Sequence, residues 1–246
     1  MYHNLQTVSM NFKILSGSAI KIIAAVSMIC DHVAKHILVH YDFAKVPAFV
    51  FHGRGVNLLF LMSSVIGRLA FPLFAFLAVE GYIHTRDLRR YVINLLIFAV
   101  LTAIPWNLLR GGLFTFHSLN VLFTFVLGIA AIYGIDRQKG WKSFFFVTMA
   151  LLLAHLLKTD YGIPGVLLMV LLFEFRDKRE CQSLSIIACL FKGLRNPGTP
   201  LAVLPVMMYN GKRGFIRGTS AKYLFYSIYP LHLLIIHFVR VALGLA

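Results

Sequence analysis

Asp31, His32, Lys35, His36 and His40 all fall in one apolar run, AAVSMICDHVAKHILVH, from Ala24 to His40. An unpaired ionisable group in a hydrocarbon core costs at least a few kcal/mol, so side chains of these types demand partners or a task. An imidazole beside a carboxylate supplies the parts of a general base. At about 1.5 Å of rise per residue, a helix starting near Gly17 carries His32 roughly 22 Å in, past the bilayer midpoint. Adjacent helical residues diverge by about 100°, so Asp31 and His32 are expected to flank a polar cavity rather than share one face. His32, His36 and His40 follow i, i+4, i+8, which is also the spacing of metal ligands. No carboxylate or Cys cluster completes such a set, so no metal is assigned, and satisfied structural histidines are the alternative.

Further polar groups recur in later apolar runs. IGRLAFPLFAFLAVEGYIHT, residues 66–85, holds Arg68 near the middle of its span and Glu80 and His84 toward one end. Arg68 and Glu80 lie about three turns apart and need separate partners. Asp31 is the expected counter-ion of Arg68, while Glu80 suits a basic residue or a substrate amine. Pro72 predicts a local opening of the helix, or a kink alone. LNVLFT carries Asn120 and Thr124, DYGIPG carries Asp160 and Tyr161, and YNGKRG, residues 209–214, carries Tyr209, Asn210, Lys212 and Arg213. The last of these reads either as a phosphate-binding loop rich in backbone donors and cations or as a plain basic turn. KYLFYSIYPLH, residues 222–232, places His232 at mid-membrane depth below Tyr223, Tyr226 and Tyr229. Such a tyrosine stripe usually packs, but a buried phenol also needs a hydrogen-bond partner.

The elements that carry these groups follow from composition. The 246 residues are 59% hydrophobic and only 13% charged, with a mean hydropathy of +0.78. One soluble core could not bury that much apolar surface, so the chain reads as an all-α polytopic membrane protein in one domain, residues 1–246. Apolar runs predict about nine spans: 17–39, 57–83, 91–110, 117–135, 142–158, 161–175, 182–194, 199–210 and 222–245. Spans six to eight fall short of the roughly 20 residues a perpendicular crossing needs. Cys30, Cys181 and Cys189 have no paired spacing and read as small buried apolar groups. The first stretch lacks a basic n-region and an A-x-A site, so the first apolar helix is expected to direct insertion.

Charge settles the expected orientation. Arg86, Arg89 and Arg90, then Arg137, Lys139 and Lys142, then Arg176, Lys178 and Arg179, then Lys212, Arg213, Arg217 and Lys222 fall on one side. Opposite them stand Lys45, Arg54, Arg110, Lys158, Lys192 and Arg195, thirteen against six. The richer side belongs in the cytoplasm, which puts the N-terminus inside. The net charge of +15 is thereby read as a loop signal and not as a nucleic-acid footprint.

IKIIAAVSMICDH, IGRLAFPLFAFLAVEGYIHT followed by Tyr91, LNVLFT, DYGIPG, YNGKRG and KYLFYSIYPLHLL occur in this order from Ile20 to Leu234. In these motifs the chain resembles the TraX family, named for the F-pilin acetylase of conjugative plasmids. The resemblance implies an acetyl-CoA-dependent N-acetyltransferase in the bacterial cytoplasmic membrane. Its acceptor would be an amine, as on a pilin-like peptide N-terminus or a glycan.

Under that reading the chemistry distributes as follows. His32 with Asp31 supplies the base, or His232 does so or holds the acetyl group transiently. Arg68 stabilises the oxyanion or pairs with Asp31. Arg86, Arg89, Arg90, Tyr209, Asn210, Lys212 and Arg213 receive the CoA phosphates, and Glu80, His84, Asn120, Thr124, Asp160, Tyr161 and Tyr229 are substrate or structural polar groups. A proton- or cation-coupled transporter is the alternative, with Asp31 and Glu80 lining one path.

Overall fold

The computed structural model describes residues 13–51, 54–112, 118–192 and 197–245. The expectation of no leader rests mostly on residues outside these, as does the count of Arg195. Helix α1, Gly17–His36, starts where Ser16 Oγ accepts from the Ala19 N–H. Its first N–H groups, Gly17 and Ser18, donate to the carbonyls of Lys212 and Arg213, so the YNGKRG loop closes the helix end that would otherwise hold unsatisfied donors. The helix ends at His36, and His40 lies in a separate tight turn, Leu38–His40. The i, i+4, i+8 face is therefore not continuous.

A short antiparallel hairpin follows, β1 (Phe49–Phe51) with β2 (Arg54–Val56), in the register Phe49↔Val56 and Val50↔Gly55. It departs from the all-α expectation because strands of three residues are too short to show a period of two in sequence.

The second span is broken. Helix α2 (Leu58–Phe60), capped by Asn57, runs into a widened π turn at Leu61–Ile66 and a tight turn at Gly67–Leu69 before α3 (Ala70–His84) begins. The break precedes Pro72, which falls in the first turn of α3, where its missing N–H is not needed. Two close approaches fit the break. Gly198 donates to the Ser64 carbonyl at 3.1 Å, and a Cβ on Gly67 would lie 2.6 Å from Asp31 Cβ.

Asp87 caps α4, Leu88–Leu108, and Asn120 caps α5, Val121–Arg137. Then come α6 (Trp141–Leu156), α7 (Gly162–Glu174), α8 (Arg179–Leu190), α9 (Val203–Met207) and α10 (Thr219–Ala242). Among the described residues four segments are long and apolar enough to cross a membrane: Gly17–His40, Leu58–His84, Leu88–Leu108 and Thr219–Ala242. α6 and α7 are shorter apolar helices. With 12 and 5 residues, α8 and α9 fall well short of a ~30 Å hydrocarbon core.

α3 is the central helix: Leu73, Ala75, Phe76 and Val79 are fully buried. They pack with Ile20 and Ala24 of α1, Ile129 and Ile132 of α5, and Leu168 and Leu172 of α7. Val26, Val100, Phe144, Leu224 and Phe238 point outward, each more than half exposed. Side chains of this kind on a helical bundle are solvated by lipid. The protein is a membrane protein.

Candidate active site

α1 and α10 carry matching stripes. Lys21, Ala25 and Met28 recur at helical spacing on α1, and one turn later stands His32; on α10, Lys222, Phe225 and Tyr229 lead to His232. The first three of each stripe line a cavity of about 170 Å³ between α1, α3, α4, α5 and α10. Its remaining wall is apolar and aromatic, from Phe74, Leu77, Leu95, Phe98 and Tyr226 among others. Both lysines lie in the first turns of their helices, so the cavity has a cationic end and an apolar body.

Beyond the apolar end the two histidines meet. His32 Nδ1 lies 2.7 Å from His232 Nε2, and His232 Nδ1 lies 2.8 Å from the Ile228 carbonyl oxygen. A carbonyl only accepts, so His232 carries its proton on Nδ1. In the neutral pair its Nε2 then accepts, and His32 donates from Nδ1. The lone pair of the pair is left on His32 Nε2. The Tyr229 ring stacks on both imidazoles, with centroids 6.4 Å and 5.7 Å away, and Trp106 stands edge-on to His32. The two histidines that sequence offered as rival bases are one hydrogen-bonded unit.

The other expected residues divide between this site and structural joints. Asp31 does not orient His32. It pairs with Lys35 at 2.5 Å, and its Oδ1 rests against Gly67 without a hydrogen-bond partner. The expected Asp31–Arg68 ion pair does not form: the Arg68 charge lies near Tyr161 instead, and its Nε has no hydrogen-bond partner. Tyr161, at a positive φ, stacks on Phe71. Thr124 Oγ1 donates to the Asp160 carbonyl, and the Asp160 N–H donates to the Leu119 carbonyl, so LNVLFT and DYGIPG interlock. Asn120 is fully buried, capping α5 at Leu122 N and donating to the Ala99 carbonyl. Burial pushes the Asp160 carboxyl up, and the Lys35 and Arg110 charges partly offset the rise.

Glu80 takes the basic partner rather than standing free for an amine. It lies 3.7 Å from Arg179 and 3.4 Å from His84, and the Tyr209 phenol lies near its charge. Arg179 also donates to Gln182 and covers the rings of Phe76 and Tyr209. Tyr209 is thus buried in a structural joint and is not at a cofactor surface. The backbone N–H groups of Asn210 and Lys212 are consumed by the Leu15 carbonyl and Asn210 Oδ1. The loop therefore offers neither of these two donors to a phosphate, while the side chains of Lys212 and Arg213 are exposed. Arg89 and Arg90 are exposed on the first turn of α4, and Arg86 lines a different cavity. Among the described residues no three His, Cys, Asp or Glu groups gather as a metal site.

Sequence reading missed Lys21, Lys222 and Trp106 as site residues. Lys21 had a signal: eleven residues before His32 is about three turns, which puts both on one face of α1.

The TraX protein family model matches residues 16–240. The chain is 27% identical over 195 residues to the probable fimbrial assembly protein FimC, serogroup H1, of Dichelobacter nodosus, covering 68% of this chain and 78% of that protein. It is 28% identical over 189 residues to Protein TraX of Escherichia coli (strain K12), covering 76% of this chain and 64% of that protein's length. No solved structure matches. With the family model spanning all but the ends, and the resembling motifs each placed at a helix cap, a joint or the histidine pair, the chain belongs to the TraX family.

Proposed function

We propose that the protein is a membrane-embedded acetyltransferase that moves an acetyl group from cytosolic acetyl-CoA to an amine acceptor. The observation that carries this is the His32–His232 pair, with its lone pair on His32 Nε2, just beyond the apolar end of a cavity whose other end is cationic, where Met28 and Tyr229 are the last lining residues before it. Apolar walls ending at Lys21 and Lys222 suit a pantetheine arm and the phosphates behind it, with Arg213 close enough to Lys21 to add its charge. Acetyl-CoA supplies an activated acyl thioester. The amine nitrogen attacks the thioester carbonyl as its proton passes to His32 Nε2. The resulting imidazolium keeps its Nδ1–H on His232 Nε2, so the new charge meets a preplaced acceptor. Collapse expels the CoA thiolate, which takes the proton from His32 Nε2 as it leaves, so the acetyl amide is released and the histidine pair is again neutral.

The basic turns lie on the cytoplasmic side in this reading, the N-terminus is inside, and the membrane is the bacterial inner membrane. Thr85, Arg86, Asp136, Arg137 and Arg176 line one cavity, and Lys212 closes α1, which supports a common basic end. The name of the Dichelobacter relative, a probable fimbrial assembly protein, favours a pilus-subunit amine over a glycan as acceptor. No nucleic acid is required as a partner. The transporter alternative needs Asp31 and Glu80 on one path. Asp31 instead pairs with Lys35 beside the broken second span, and Glu80 pairs with Arg179 of α8. Purified protein given isotope-labelled acetyl-CoA and a peptide with a free N-terminus tests the proposal. Amide formation is expected, and no transfer to any amine, with no retained CoA in native mass spectrometry, refutes it.

A further inference from the structure

A second cavity, of about 270 Å³, opens between the ends of α3, α5 and α7 and is polar where the first is apolar. Tyr82, Ile83, Thr85, Arg86, Asp136, Arg137, Phe173 and Arg176 contribute to its wall, and it shares no lining residue with the cavity below the histidines. Three guanidinium groups face one carboxylate. That carboxylate is already committed: Asp136 Oδ2 accepts from the Tyr82 hydroxyl at 2.8 Å and forms an ion pair with Arg137 Nε at 2.8 Å. Arg176 uses one donor on the Phe173 carbonyl, at 3.1 Å, and rests over the Phe173 ring at 4.5 Å. Its remaining N–H groups have no acceptor among the described residues, and Arg86 has neither ion pair nor hydrogen bond there. The three arginines are themselves exposed, Arg137 at 68%, but they stand around a buried tyrosine and phenylalanine, 7% and 4% exposed, that form the floor.

The geometry points to a site for a phosphate group at this end of the bundle, held by Arg86 and Arg176 with Arg137 beside them. Guanidinium forks match phosphate oxygens in bidentate fashion, and basic pockets between membrane helices on the cytoplasmic side take phosphate headgroups. Two molecules carry such a group without the choline ammonium that neutralises it in phosphatidylcholine: an anionic phospholipid, and CoA in its adenosine 3′-phosphate. Ile83, partly exposed at the cavity wall, gives acyl chains an apolar exit. The lipid source is independent of the acetyl-transfer reading, and the CoA source rests on it.

Full-length protein in nanodiscs of phosphatidylcholine with and without phosphatidylglycerol, read by native mass spectrometry, tests the site. CoA against 3′-dephospho-CoA forms a second arm. The unmodified chain is expected to retain phosphatidylglycerol over phosphatidylcholine, or to prefer CoA over its dephospho form. Arg86→Ala with Arg176→Ala should reduce that preference by about tenfold, since each removes a charge-assisted contact. Thr85→Glu keeps the arginines but sets a carboxylate among them, and should give the same loss should the double variant fold poorly. Loss of lipid retention alone identifies the headgroup, and loss of the CoA preference alone identifies the nucleotide phosphate. An unmodified chain with neither preference, or folded variants that keep both, overturns the site. Failure of acetyl transfer with lipid retention intact leaves it standing.

Discussion

His32 and His232, 200 residues apart, share a 2.7 Å hydrogen bond, and the Ile228 carbonyl on the far side of His232 decides which imidazole nitrogen is free. His32→Ala should lower turnover by about 10²-fold or more with acetyl-CoA still bound, because it removes the base. His232→Ala should cost less, since His32 keeps its lone pair but loses its orientation. The double variant should be no slower than His32→Ala, because residues acting as one unit are not additive. Single-turnover acetyl transfer reads all three. Full activity in His32→Ala would sink the base assignment.

Lys21 and Lys222 mark the cationic end of the apolar cavity, while Lys212 and Arg213 stand on an exposed loop. Lys21→Ala and Lys222→Ala should raise the KM for acetyl-CoA several-fold with kcat little changed, the pattern of uniform binding lost far from the reacting carbon. Lys212→Ala should do less. Steady-state kinetics on the three variants separates the two surfaces. An unchanged KM in Lys21→Ala places the cofactor elsewhere.

Gly81 lets Tyr91 cross α3. A Cβ there would lie 2.7 Å from the Tyr91 hydroxyl, which donates to the Ala78 carbonyl at 3.1 Å. Gly81→Ala should cost roughly 1–3 kcal/mol by overpacking. Tyr91→Phe removes the atom nearest the clash and should recover part of that loss in the double variant. Thermal unfolding in one detergent measures the coupling, and strictly additive effects would argue against the contact.

Glu80 and Arg179 are 12% and 22% exposed and tie α3 to α8. Arg179→Ala leaves the Glu80 carboxylate without its cation and should destabilise the fold by up to about 3 kcal/mol, the figure for an uncompensated buried charge less the screening that partial exposure allows. Glu80→Gln together with Arg179→Met should recover most of it. The melting temperature reports both, and a double variant no more stable than Arg179→Ala would argue against the ion pair as the source of the loss.

Cysteines placed at residues 86–90 and 211–218 should resist an impermeant thiol reagent added to intact cells, because basic turns stay inside. Labelling at both places would reverse the orientation.

Composition alone determined that this chain is a helical membrane protein, because burying so much apolar surface requires lipid whatever the packing. The cost of Asp31 and His32 in an apolar run is likewise independent of the fold, so the candidate base was legible in one stretch of sequence. The family was legible too, since its motifs are local and keep their order. Partners were not. Asp31 took Lys35 one turn away instead of Arg68, Glu80 took a basic residue as it was suited to but one whose identity, Arg179, was not legible, and Tyr209 and Asn210 went into joints, because the azimuth of each helix is set by neighbours far along the chain. The broken turn at Leu61–Leu69 was hidden for the same reason: Gly198 and Asp31 press on it from distant segments. Only the tertiary structure put His232 on His32 and aligned the two lysine-to-histidine stripes, since a hydrogen bond across two helices depends on their crossing and depth, which no spacing within either helix contains.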